Sequence, residues 1–587
     1  MGCSREDTQS AEVWPRTLEA RLSVPTAWAS CRKTLRPGHV VEEAQCGAET
    51  TLSKQPCDEI LTHADALRVL TSQPACTDAA ISAFERFAPT DKSALVDLAA
   101  AYYVRAQRED RPADLVRAYD AAEQAVAAAP RSPAALFNRA LIREALGFPA
   151  AAMASWDEVR QLDAPAWAAE AREHRTRLAR LRPDSGAAQW QVSRARLPAA
   201  LHARNRPEVA RLIAASPAAA ERYLEEELLP RWAESPSAET REAAEIFADE
   251  WSRATHDRFA LDVVNAIGVT PNRSELRKGH LAFRDARLAE RAIEPAKAAA
   301  SYETATQALA RAGSPLHFLA EIGRAIAMSF EPGDAPLRAA AMFDRAEAAA
   351  RKADWPSVLA RVAASRAYVL EFQGRYVEAL TQFDAAQAQY TRIGDAESVA
   401  AIRGNRSTVL GAVGQPERAW SEAWQAMRAI PRMVELQSRH RVLGETAEAA
   451  LALGQPRLAL LYQDAALRLI RADLGSTPPE NLRRIGKLQK NLAVALRHRA
   501  AIELRLQNYG RATSDLAEAG RVGQDPDTDI RRLVNARVEE IRGQALLHSD
   551  VKRAIAAFTR AVNLAAVDDY PTFRGALFAQ RADAWRR

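Results

Sequence analysis

A chain of 587 residues is far longer than one hydrophobic core requires, and a hydrophobic content of 48% excludes a disordered polymer. Its 80 basic and 75 acidic residues leave a net charge of +5 spread along mixed-sign segments, which argues against a nucleic-acid-binding face. Aromatics make up only 6%, alanine dominates the apolar residues and alternating β-branched runs are almost absent, so the expected fold class is all-α.

Residues 1–77 read as an irregular N-terminal cap or linker, broken by Pro25 and Pro37-Gly38, and hold all five cysteines: Cys3, Cys31, Cys46, Cys57 and Cys76. Gly2-Cys3 followed by polar residues matches the junction at which a bacterial lipoprotein is cut. Cys3 is therefore a lipidation candidate, set against a chance cysteine near a chain end. A myristoyl signal would want Ser or Thr where Glu6 stands. With Cys3 lipidated, the other four cysteines allow two disulfides in one of three pairings. Free thiols compete with this, as does zinc, although no pair has Cys-x-x-Cys spacing and only His39 and His63 lie near. A bacterial cell envelope and the cytoplasm both stay open as locations. No apolar run reaches the roughly 18 residues of a transmembrane segment.

Residues 78–182 carry the first repeats. "SPAALFNRALIREALGFPAAAMASWDEVRQLD" places Leu136, Ala140, Gly147, Ala152 and Trp156 at helix-hairpin spacing, and "SALVDLAAAYYVRA" with "LVRAYDAAEQAVAAAP" makes an earlier copy. After a break at "LRPDSG", residues 183–275 read as a helical section without clear repeat.

From 276 to 587 the array resumes. A small residue, a bulky one four places on and a small one three further recur as Ala298, Tyr302, Ala305; Ala339, Phe343, Ala346; and Ala379, Phe383, Ala386. Later copies are Ala512, Leu516, Ala519 and Ala554, Phe558, Ala561, with a weaker one at Ala419, Ala423, Ala426 beside Trp420 and Trp424. Gly374, Gly414 and Gly454 stand 40 residues apart, each ending an apolar helical stretch. Glycine there supplies the left-handed conformation that turns the chain back. Positions i, i+4 and i+7 share one helix face, so alanines let a partner helix approach while the bulky residue fills the gap. A hairpin built this way cannot bury its face alone, which predicts an α-α superhelix of stacked antiparallel hairpins. "YPTFRGALFAQRADAWRR" reads as the first helix of a further unit, so the expectation is that the array ends on a half-repeat and belongs to a longer protein.

No phosphate-binding glycine loop, nucleophile elbow or zinc-protease pair occurs, and no two histidines lie four residues apart. His256-Asp257 is adjacent in sequence and points apart on a helix, Glu225-Glu226-Glu227 reads as a solvated triplet, and Trp420 and Trp424 read as core. No catalytic, cofactor-binding or metal residue is expected, and the chain is expected not to be an enzyme in this form.

The repeats resemble the tetratricopeptide repeat, although the later ones, near 40 residues, depart from its usual length of about 34. The order of "WPRTLEARLSVPTAWA", "ALFNRALIREALG", "RYLEEELLPRWAE", "GHLAFRDARLAERAIEPAKAAASYETATQALARAGSPLHFLAEIGRAIA" and "GRYVEALTQFDAAQAQYTRIGD" is similar to the repeat half of bacterial CHAT-domain proteins. That resemblance implies a downstream caspase-like peptidase domain with a His-Cys dyad, for which this chain would be the sensing or regulatory arm. It carries over no catalytic residue. A protein or peptide partner is expected in the concave groove, with its lining residues unassigned. The competing readings are a free-standing repeat adaptor or signalling protein, and a superhelical envelope enzyme such as a lytic transglycosylase.

Overall fold

Helix starts in this chain are set locally. Proline opens many of the helices, where its fixed φ suits the first turn and its missing N–H costs nothing. The computed structural model of the protein describes residues 20–23, 57, 60, 62–72, 74–162, 165–180, 185–292, 294–522, 528–547, 549–565 and 571–586. Every element among them is helical. The chain divides into two compact units, Met1–Arg182 and Pro183–Arg587.

In the first unit, α1 (His63–Ser72), α2 (Thr77–Phe87), α3 (Lys92–Arg108), α4 (Pro112–Ala128), α5 (Pro133–Ala145), α6 (Pro149–Arg160) and α7 (Pro165–Ala179) each pack on the next. The odd-numbered helices α1, α3 and α5 also touch one another in series. Asp91 caps α3 by accepting from Ser93 N, and Ser132 caps α5 by accepting from Ala135 N. Helix α1 lies inside the stretch read as irregular. Ala66, Val69 and Leu70 are buried at helical spacing, too short a run to stand out from the broken sequence around it. Cys57 and Cys76 form a disulfide with Cα atoms 5.4 Å apart, closing 19 residues of chain and contributing about 3 kcal/mol through loop entropy. Cys3, Cys31 and Cys46 lie outside the described residues.

The second unit opens with α8 (Ser185–His202) and α9 (Arg206–Ala214). Helix α10 (Pro217–Tyr223) then runs through a π-helical turn (Leu224–Leu228) into α11 (Leu229–Glu234), followed by α12 (Ala238–Thr255) and α13 (Phe259–Val269). Stacked hairpins follow: α14 (Arg273–Arg291) with α15 (Pro295–Arg311), α16 (His317–Met328) with α17 (Ala335–Ala353), and α18 (Pro356–Phe372) with α19 (Tyr376–Arg392). They continue as α20 (Ala396–Ala412) with α21 (Pro416–Arg428), α22 (Leu436–Ala452) with α23 (Pro456–Ser476), and α24 (Leu482–Arg505) with α25 (Tyr509–Val522). The last pair is α26 (Thr528–Leu546) with α27 (Val551–Leu564), on which α28 (Pro571–Arg586) packs. The fold is thus all-α, a tetratricopeptide-like superhelix of antiparallel pairs.

The small–bulky–small positions form the seams between pairs, and Ala379, Phe383 and Ala386 are completely buried. The copy at Ala419, Ala423 and Ala426 lacks a bulky centre because Trp420 fills the gap from the next position. It meets Tyr462 of the following hairpin at 6.0 Å. Ala459 and Ala466, flanking buried Gln463, form a copy that the sequence pattern passes over. Gly374, Gly414 and Gly454 have φ of 73°, 75° and 76° at the hairpin turns.

Residues 183–275 share one continuous apolar core with the first hairpins, from Trp190 through Val369. At the start of α8, Ser185 Oγ donates to the carbonyl oxygen of Pro431 at 2.7 Å, 246 residues along the chain. Gly186 lies so close to the same turn that a Cβ there would sit 2.2 Å from the Arg432 carbonyl oxygen.

Candidate protein-binding grooves

The odd-numbered helices of the first unit line a groove, and in it lies an extended piece of the chain's own N-terminal segment, Ala20–Ser23. Asn138 of α5, completely buried, reads its main chain from both sides. It accepts from Arg21 N at 2.7 Å and donates through Nδ2 to the Arg21 carbonyl oxygen at 2.7 Å. Its remaining donor capacity reaches the Val96 carbonyl oxygen on α3 at 3.2 Å. Such a pair satisfies an extended backbone without regard to side chain.

Side chains are read as well. Arg21 donates to both carboxylate oxygens of Glu170 on α7, each at 2.7 Å. Its guanidinium lies 4.3 Å from the ring centre of Phe137 and 5.9 Å from that of Trp167. Asp97 of α3 accepts from Ser23 N at 2.7 Å and from Ser23 Oγ at 2.6 Å. Behind it, His63 of α1 bridges Asp97 and Asp91, 2.7 Å from each. Its hydrogen bond to Asp97 raises the imidazole pKa above its ordinary value, against the opposing effect of burial. Ala20 and Leu22 are buried on either side of Arg21. Helices α3, α5 and α7 therefore each contribute polar groups to one bound tetrapeptide, and α1 backs the α3 carboxylate through His63.

In the second unit the helix Pro217–Glu234 lies against the first helices of successive hairpins. Arg361 of α18 reaches Glu221 at 3.0 Å and Glu225 at 3.3 Å. Arg222 pairs with Glu397 of α20 at 3.5 Å and with Glu435 at 3.4 Å. Arg291 of α14 grips Glu226 with both terminal nitrogens. Beside the helix, Arg287, Glu290, Tyr302, Arg361, Tyr390 and Asp395 are among the groups lining a cavity of about 230 Å³. Burial lifts the Glu225 carboxyl to about 7, with Arg361 pulling the other way. Burial works against the Arg361 charge, yet Glu221 and Glu225 hold its pKa above the usual guanidinium range.

The Glu225-Glu226-Glu227 triplet is thus not solvated as expected. Glu225 is 3% exposed because the π-helical turn brings it and Glu226 toward the arginines of α14 and α18. His256 ends α12 in a left-handed conformation with φ 55°. The buried Asp257 carboxylate accepts from Phe259 N at 2.8 Å and from Ser357 N, the start of α18, at 2.7 Å. Trp420 and Trp424 are buried, with ring centres 6.2 Å apart. Sequence reading did not single out Arg21, Asp97, Asn138, Glu170, Arg287 or Arg361. The available signal was a lone asparagine inside an apolar run, "ALFNRALI", which a packing pattern alone leaves unexplained.

Among the described residues no group of histidine, cysteine and acidic side chains could hold a metal ion, and no helix is long and apolar enough to cross a membrane. No protein-family model and no curated protein matches the chain. Among solved structures, yeast Tom70 is 16% identical, with 89% of this chain and 95% of that one covered at a TM-score of 0.34. The Cut9–Hcn1 hetero-tetramer of the APC/C is 13% identical, with 88% and 95% covered and a TM-score of 0.34. At these scores neither lends this chain a residue role or a partner.

Proposed function

We propose that this chain is a non-catalytic protein-interaction scaffold, the sensing or regulatory repeat arm of a CHAT-type peptidase protein. One observation carries the scaffold part: Asn138 holds both main-chain groups of an extended segment across the groove of the first unit. That is how a repeat surface takes a peptide, with backbone hydrogen bonds for affinity and flanking side chains for selection. The CHAT part is supported by the order of segments in the sequence. A free-standing adaptor with the same grooves is the alternative.

Two measurements test the proposal. Purified protein incubated with casein and a peptide library is expected to give no cleavage, and turnover would end the non-catalytic reading. Reading the coding sequence beyond codon 587 separates the arm from the adaptor. A following segment with a His-Cys dyad supports the arm, and a stop codon supports the adaptor.

A further inference from the structure

The groove of the first unit is built around an arginine. Three features favour one: a carboxylate engaged by two hydrogen bonds, the Phe137 ring at 4.3 Å and the Trp167 indole at 5.9 Å. Both hydrogen bonds to Glu170 come from one terminal nitrogen, Nη2, which an ammonium can imitate, so the preference for arginine over lysine rests on its planar cation lying over the Phe137 face. Two residues on, Asp97 takes both the N–H and the hydroxyl of Ser23, so that position favours a small hydroxyl side chain. The residues between and before, Leu22 and Ala20, are 8% and 2% exposed and fit apolar surface. The main chain is held by Asn138, which any peptide could use.

We propose that this groove is a receptor for an extended peptide of the form small–Arg–apolar–Ser, and that Ala20–Ser23 is its resident ligand, displaced by a partner carrying the same pattern. The proposal rests on the scaffold reading and gives it a partner class. The contacts join residues 117 and 149 positions apart. An intramolecular ligand competes with any free one, and the apparent affinity of a partner falls by the fraction of grooves left open. The groove is therefore gated by its own chain: weak toward a stray peptide, receptive once the segment is drawn away.

The test uses the full chain and a fluorescent peptide of residues 18–25, LEARLSVP. In fluorescence anisotropy the double variant Arg21→Ala/Ser23→Ala is expected to bind it about tenfold or more tighter than the unaltered chain, because the resident segment no longer competes. The same peptide with Arg21→Ala, or with Arg21→Lys, is expected to bind that variant about tenfold more weakly. Adding Asn138→Ala to the double variant should abolish binding. Glu170→Gln, a gentler change, should weaken only the arginine peptide. Circular dichroism melts identify variants that remain folded. Equal binding of the arginine and alanine peptides would overturn the arginine receptor while leaving the scaffold reading intact. Absence of binding by either peptide to the folded double variant would overturn the proposal and remove this groove from the scaffold reading too.

Discussion

His63 and His280 are driven in opposite directions by what surrounds their rings. His63 has carboxylates at both ring nitrogens, and Asp97 foremost among them raises its pKa from 6.5. Stability from this protonated ring is fully present below 6.5 and is lost as pH rises through the raised folded value. The first unit should therefore weaken toward urea as pH rises above 6.5, and His63→Gln should flatten that dependence. His280 is buried, with the edge of Trp232 against it at 5.9 Å between ring centres and no hydrogen bond to either nitrogen. Burial holds its pKa down at about 3. Its neutral ring is at no disadvantage above 6.5, and stability is lost as pH falls from 6.5 toward 3. At about pH 4.5 the loss is on the order of 2–3 kcal/mol. Chemical denaturation of His280→Leu against the unaltered chain at pH 4.5 and pH 7 should show the variant gaining by about that difference at the lower pH. Neither environment was legible from the sequence. The carboxylates beside His63 come from α3 and the α2–α3 turn, and the Trp232 ring beside His280 comes from α11.

At the scale of the element, the hairpin turns show how far local pattern goes. After α18, α20 and α22 the turn residue is glycine with positive φ, and sequence spacing alone placed all three. After α24 the same position is Gln507, with φ 61°. The turn closes the same way, with Gln507 N donating to Leu504 O and Asn508 N to Glu503 O, as Gly374 N and Arg375 N donate to Glu371 O and Leu370 O. A side chain there carries about 1 kcal/mol of left-handed strain. Gln507→Gly should raise stability by about 0.5 kcal/mol once glycine's larger unfolded-state entropy is subtracted. A shift in the denaturation midpoint at unchanged slope would register it. Helix faces were legible for the same reason, since a repeat of 3.6 is written in consecutive residues. The meeting of Trp420 with Tyr462 was not, because the two rings come from successive hairpins 42 positions apart.

For the second unit as a whole, the section without repeats is bound into the array rather than set beside it. It reaches from α8, seated on the Pro431 turn, to the helix Pro217–Glu234, held by arginines of α14 and α18. Arg361 is shared by the buried Glu221 and Glu225, with Arg287 3.9 Å from Glu225. Removing it leaves two carboxylates without their nearest counter-charge, which costs more than the pair itself contributes. Arg361→Leu should destabilise the unit by about 2 kcal/mol, discounted because the guanidinium keeps some contact with solvent. Hydrogen exchange across residues 217–234 should quicken before that of α14 through α19.

The sequence by itself determined the fold class and, within the repeats, the helices, their pairing into hairpins and the stacking of those hairpins, because each depends on residues within one repeat of one another. Only the tertiary structure decided what lies in the grooves. Arg21 meets Asn138 across 117 residues, and Glu225 meets Arg361 across 136. No periodicity links partners so far apart. Such contacts arise because grooves lined with polar groups need partners when water is excluded, and here segments outside the repeats supply them.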